Sequence, residues 1–378
     1  MKSDKTTPNV PTLRFKKYDT NWNRKRLSDY VKKITQKNSN NIIKNVICNS
    51  AQNGLIPQLD FFDKEIANDE NTVGYYIINN GDFVYNPRKS LNAPYGPVNM
   101  YKYEKAGIVS PLYLCFSVDE SINKSFLLQR FKSPCWYRYI YLNGDSGARH
   151  DRVSIKDDVF LSQPISLPSA EEQTDIAVFL EKIDERIEIQ NKIISKYETL
   201  IKGLCDMIFR HNKSVSLSDL VKCKTSALQE NTVSTCHRGE YKVLGASGAI
   251  AAIDTYQFEE SGILVLKDGS KAGKIQFAQG KYSVVGTSVV LIPNEACDAR
   301  YLYFAMSSID FEKYKVGSGI PHIYFKDYSN ERIYYPDKAL RKKITKTLDF
   351  YETMVEIERK MLSAMQKQKA FLLQSMFI

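Results

Sequence analysis

The residues around Gly269 come nearest to a catalytic signature. A phosphate-binding loop needs Gly, four residues and then Gly-Lys-Ser/Thr, so that backbone amides cradle the phosphates and the hydroxyl holds magnesium. Gly269-Ser270-Lys271-Ala272-Gly273-Lys274-Ile275 is one residue short and places Ile where the hydroxyl belongs. A nuclease-like pattern can be assembled from Pro336-Asp337 and Glu358-Arg359-Lys360. On one continuous helix these carboxylates stand roughly 31 Å apart at 1.5 Å per residue, too far to share a metal. The Asn/Asp-Pro-Pro-aromatic tetrapeptide of amino-methyltransferases is missing, since Asn86-Pro87-Arg88 stops after one proline. No His/Cys/carboxylate spacing suits a metal. The four histidines, His150, His211, His237 and His322, leave little room for general-base catalysis. The chain reads as one that binds.

What it binds is suggested by cationic and aromatic side chains beside small, turn-forming residues. One cluster comprises Arg88-Lys89, Trp136-Tyr137-Arg138-Tyr139 and Arg149-His150-Asp151-Arg152. A second comprises Lys267, Lys271, Lys274, Lys315 and His322. Such groups grip phosphates or reach guanine edges, and short loops let them enter a groove.

Two long helices must position these clusters. Ile176, Leu180, Ile183, Ile187, Gln190, Ile194, Tyr197, Ile201, Leu204 and Ile208 step by four and three, ending at Phe209. The stripe returns 168 positions later as Ile344, Leu348, Tyr351, Val355, Glu358, Leu362, Met365, Lys369, Leu372 and Met376, ending at Phe377. A 4-3 spacing is the seam of a coiled coil, so each helix expects a partner. The repeat extends beyond the helices. Leu27-Ser28-Asp29 opens one copy and Leu217-Ser218-Asp219 the other; Ser146-Gly147-Ala148-Arg149-His150 answers to Ser318-Gly319-Ile320-Pro321-His322, and Pro168 to Pro336. The expected organisation is a globular domain over 1–167, a long helix over 168–212, a second domain over 213–335 and a second helix over 336–378.

The domains read as α+β with short strands. Tyr75–Ile78, Gly81–Tyr85 and Ile108–Phe116 are β-type runs in the first; Gly262–Leu266, Lys274–Phe277 and Ser283–Pro293 are their like in the second, followed by a short helix over Leu302–Ser307. With 378 residues, 43% apolar and 12% aromatic, the chain has room for two or three domains with real cores. Its formal charge of +10 favours a polyanionic partner. Seven scattered cysteines without a Cys-x-x-Cys pair fit reduced thiols. Met1–Val10 lacks the apolar core of a signal peptide and no stretch approaches 18 apolar residues, so a cytoplasmic protein with no membrane partner is expected.

Pro168-Ser169-Ala170-Glu171-Glu172-Gln173-Thr174-Asp175-Ile176-Ala177, with Leu180, Ile183-Asp184, Ile187, Gln190 and the terminal Phe209, resembles the central conserved region of the specificity subunit of type I restriction–modification enzymes. The resemblance covers the chain in layout. It implies a non-catalytic subunit with two target-recognition domains that bind double-stranded DNA at a two-part asymmetric site. It also implies two modification subunits that use S-adenosylmethionine to methylate adenine at N6. Where restriction subunits join, two of them translocate and cut DNA with ATP and magnesium. This chain itself would carry no cofactor. One departure stands out: Glu172-Gln173 in the first copy is Leu340-Arg341 in the second, which predicts different subunit contacts there.

Two readers on one duplex are served by an intramolecular antiparallel coiled coil with a pseudo-twofold axis, which puts the domains at opposite ends. A helix from Glu171 to Phe209 runs about 58 Å and would act as a ruler. Gln190 and Glu358, the polar positions at the middle of each stripe, are expected to face each other and fix register. The competing reading is a helical scaffold whose globular parts bind protein.

Overall fold

The computed structural model describes residues 9–58, 72–146, 151–210, 214–233, 236, 238–294, 298–317 and 319–378. Two compact units divide the chain: Met1–Ile189 with Leu362–Ile378, and Gln190–Met361.

The first unit opens on the strand Asn23–Arg26, which pairs antiparallel with Pro164–Leu167 and so brings the two ends of the globular part together. A 3-10 turn at Leu27–Asp29 follows, and its leucine is fully buried. Burying such a side chain stabilises by about 1.5–3 kcal/mol, which accounts for Leu in the Leu-Ser-Asp opening. The main sheet is antiparallel. Val31–Lys33 lies beside Leu114–Val118, which pairs with Phe83–Tyr85, which pairs with Val98–Met100. Helix Lys124–Lys132 packs Phe126, Leu127 and Phe131 against this sheet.

The second unit repeats the plan. Val215–Ser216 pairs with Arg332–Ile333, and a 3-10 turn buries Leu217. The sheet again runs first strand, last, second, third: Val221–Thr225, Ser288–Pro293, Gly262–Leu266, Ile275–Ala278. Helix Ala299–Met306 takes the place of Lys124–Lys132. Around this shared frame the small sheets differ: Ile47–Ser50 with Gly54–Pro57 and Tyr76–Ile78 with Gly107–Val109 in the first unit, a three-stranded sheet from Tyr241–Gly245, Gly248–Ile253 and Tyr282–Val284 in the second. Both α+β bodies therefore carry one topology with different insertions.

Two expected strands are each broken. The run Ile108–Phe116 is split by the turn at Ser110–Tyr113 into strands of different sheets, Gly107–Val109 and Leu114–Val118. Ser283–Pro293 is likewise split, because the Gly286 and Ser288 amides bond outside the ladder, to Leu228 and Val285 carbonyls. The breaks fall at Ser110-Pro111 and Gly286-Thr287, turn-forming residues set between apolar stretches that enter adjoining cores.

The long helices span Ala170–Phe209 and Lys338–Ser375. In the first unit Ile176, Leu180, Leu372, Met376 and Phe377 share one core, and the Phe126 and Phe377 rings lie 5.4 Å apart. In the second, Phe209 shares a core with Ile344 and Leu348, Tyr197 meets Tyr351 at 6.4 Å, and Gln190 meets Glu358. Within each unit, then, rising numbers on one helix meet falling numbers on the other, an antiparallel pair. Ile176, Leu180, Gln190, Ile194, Ile344, Leu348 and Val355 are buried; Ile183, Ile187, Tyr351, Glu358 and Leu362 are half-buried.

The Glu172-Gln173 to Leu340-Arg341 difference has a local cause. Glu172 is fully buried and accepts two 2.7 Å bonds from the Arg14 guanidinium, with the Trp22 indole N–H at 3.4 Å. Arg14 belongs to an N-terminal arm that also places Lys17 and Tyr18 on Asp175. At the corresponding position of the second helix Leu340 is exposed. Gln173 donates to the Pro168 carbonyl at 3.1 Å, and Arg341 repeats that bond to Pro336 at 2.5 Å while its guanidinium lies 4.0 Å from the Tyr335 ring centre.

Candidate nucleic-acid interface

Three of the cationic residues of the first unit meet at one groove of about 480 Å³, lined among others by Gln52, Asn86, Arg88, Lys89, Tyr113 and Arg152. The loop after strand Phe83–Tyr85 is set from below by amides. Asn49, buried, donates to the Val84 carbonyl at 2.8 Å; Asn86 donates to the Asn49 carbonyl at 3.1 Å and accepts the Arg88 amide at 3.0 Å. Gly96 closes the loop at φ +83°, where a Cβ would sit 2.1 Å from the Asn86 carbonyl oxygen, so only glycine allows this approach. An antiparallel bridge then joins Arg88 to Arg152: the Lys89 amide donates to Asp151 and the Val153 amide to Pro87. Burial pushes the Tyr113 phenol above its ordinary pKa, and the nearby Arg152 charge acts against that rise.

The second unit builds the same bridge at the same place in its topology. After strand Gly262–Leu266 the Gly269 amide donates to Pro321 and the Ile323 amide to Lys267, so Asp268 stands opposite His322. Their side chains bond at 2.8 Å between Nδ1 and Oδ1. Gly269 adopts φ +93°, a conformation that the turn back towards Lys274 requires.

The structure thus brings Arg88, Lys89 and Arg152 together, and Lys267 to the Asp268–His322 bridge. Lys271 is exposed on the turn that joins strands Gly262–Leu266 and Ile275–Ala278. Lys274 reaches the Ala246 carbonyl at 3.4 Å, and Lys315 is held by Glu312 at 2.6 Å. Arg138 is exposed on helix Tyr137–Asn143 and lines no part of the Arg88 groove. Trp136 belongs to the core, its ring against Tyr85, Phe131 and Phe160. Arg149 and His150, and with them most of the Ser-Gly motif of the first copy, lie outside the described residues. Sequence reasoning passed over Asp268, because a search for cations ignores the carboxylate beside them. It also passed over Arg24-Lys25-Arg26, an exposed cationic stretch of the first strand.

Each short helix is tied to a long one by a carboxylate at repeat-equivalent positions. In the first unit Asp184 holds Lys132 at 3.1 Å, Gln129 at 2.9 Å and Lys369. Burial opposes ionisation of Asp184, yet Lys132 and Lys369 hold its carboxyl below the usual range. Burial, then Lys132, pushes the Lys369 ammonium below its ordinary value. In the second unit Asp349 and Glu352 hold Arg300, whose guanidinium also lies over the rings of Phe277, Tyr303 and Phe304. Among the described residues no group of three His, Cys, Asp or Glu is placed to hold a metal ion, and no helix is long and apolar enough to cross a membrane.

Known proteins share this architecture. The S subunit of a type I restriction–modification system from M. genitalium superposes with a TM-score of 0.60 at 15% identity, over 98% of this chain and 99% of that one. A chain from a structure of complex assembly and conformational transition in the type I R-M system gives 0.56 at 14%, over 93% and 96%. At these identities the likeness is one of fold. In sequence, the specificity subunit of the type I restriction enzyme MjaVIII of Methanocaldococcus jannaschii is 28% identical over 122 residues, which is 31% of this chain and 28% of that relative's length. The family model of the type I restriction modification DNA specificity domain matches residues 19–199 and again 210–366. With two such domains in tandem over most of its length, the chain belongs to the type I restriction–modification DNA specificity family, whose role is to specify DNA and not to catalyse.

Proposed function

We propose that this chain is the sequence-reading subunit of a type I restriction–modification complex in the cytoplasm. Each unit reads one part of an asymmetric two-part duplex site. Two modification subunits methylate adenine at N6 with S-adenosylmethionine, and restriction subunits, where they join, use ATP and magnesium. The reading rests most heavily on the paired bridges, Arg88 with Arg152 and Asp268 with His322. One topology presents two different polar pairs at one place, as two readers of different sequences require.

Arg88, Lys89, Arg138, Arg149, His150 and Arg152 in the first unit, and Lys267, Lys271, Lys274, Lys315 and His322 in the second, form the proposed DNA-facing set. Some position the duplex through phosphates and others reach base edges. Binding of the purified complex to duplex DNA across a salt series tests this. Neutralised phosphates release counterions, so affinity falls steeply, with a log–log slope of about −0.9 per contact. A flat response would favour a scaffold whose globular parts bind protein.

A further inference from the structure

The two bridges differ in hydrogen-bond polarity. In each, the amide bonds flank the facing residues instead of linking them, so both are non-hydrogen-bonded pairs, whose side chains lie close together on one face of the ladder. The first pair is two guanidiniums, both exposed and both lining the groove. Neither takes part in the ion pairs of the described residues. Like charges set directly opposite are destabilising, and a backbone ladder that holds them so presents donors that bond no acceptor among the described residues. The second pair is a carboxylate bonded to an imidazole, about a third exposed, with Lys267 adjoining. Its carboxylate keeps acceptor capacity beyond the one bond to Nδ1.

We infer that these facing pairs are specificity determinants of the two half-sites: Arg88 and Arg152 select guanine in one, Asp268 with His322 an amino-bearing base, cytosine or adenine, in the other. This rests on the reading of the chain as a DNA specificity subunit. Guanidinium groups only donate, and guanine offers N7 and O6 as paired acceptors in the major groove; carboxylates only accept, and cytosine N4 and adenine N6 donate there. The groove around Arg88 adds Gln52, an exposed neutral amide suited to a neighbouring base edge. Substituting one pair therefore alters one half of the target and leaves the other untouched.

The test is to map methylated adenines across a genome for the full chain expressed with its modification partner, as wild type, Arg152→Gln and Asp268→Asn. Arg152→Gln is expected to relax a guanine requirement at one position of one half-site. Asp268→Asn is expected to relax an amino-base requirement in the other half. Discrimination should drop on the order of tenfold to a hundredfold. If a variant leaves no methylation to map, its purified complex is offered four duplexes that differ only at the position in question. Loss of preference among the four supports the assignment, whereas equal weakening on all four shows a phosphate contact and overturns it. An unchanged motif in both variants also overturns it. A wild-type map without a split motif sinks the specificity-subunit reading itself, which separates the two failures.

Discussion

The Gln190 amide donates to the Glu358 carboxylate and, at 3.1 Å, to the Glu358 backbone carbonyl, joining the polar residues at the equivalent middle positions of the two stripes. Gln190 is 5% exposed, so its amide depends on this partner. A polar pair inside an apolar seam fixes register at a cost in stability. Gln190→Ala should lower stability by about 1–2 kcal/mol, through the lost side-chain bonds and a half-buried acceptor left without its donor. Replacing both residues by Leu should raise the melting temperature while weakening the uniqueness of the alignment. Thermal melts of the single and double variants check this; a double Leu variant less stable than Gln190→Ala would refute it.

Arg14 and Glu172 make the same kind of argument at the start of the first helix. The carboxylate is fully buried and answered bidentately by the arm. Arg14→Leu leaves a buried, unpaired charge and should cost about 3–5 kcal/mol, with faster proteolysis of residues 9–22. Combining it with Glu172→Leu, which matches Leu340 of the second copy, should recover most of the loss. A double variant as unstable as the single would show that the arm is held by something else.

The Asp184 cluster predicts a pH response. The carboxyl is depressed below its ordinary value in the folded chain, so its stabilising contribution is present at neutral pH and is lost as pH falls through the folded value. Lys369 is depressed as well, so its charged form carries a cost that disappears as pH rises through its folded value. Asp184→Asn should therefore destabilise by about 1–3 kcal/mol near pH 7. The gap to wild type should narrow in acid below about pH 4, as the wild-type carboxyl takes up its proton. Melting temperatures at several pH values report it; a gap independent of pH would exclude the ionised pair.

Much of the frame was legible because it is periodic or repeated. The 4-3 stripes end where Phe209 and Phe377 enter the cores, and the Leu-Ser-Asp openings became 3-10 turns with buried Leu27 and Leu217. The reading failed where two buried strands follow one another across a short turn. Ile108–Phe116 sends apolar residues into two adjoining cores on either side of Ser110-Pro111, a turn signal that the apolar residues around it outweighed. The polar clusters were legible as types but not as partners. Arg88 and Arg152 are 64 positions apart in the sequence, and only the ladder between Pro87–Lys89 and Asp151–Val153 shows that they face one another. Asp268 was passed over for the same reason, since its inferred role follows from His322 across the bridge.

The central claim is that two readers in one chain specify one divided target. It is tested most directly by mapping methylated adenines in a genome where the wild-type chain is expressed with its modification partner. The account predicts a single asymmetric motif of two short specific parts separated by an unspecified spacer, with each strand modified. Methylation that is absent, scattered, or confined to one continuous short motif would contradict it.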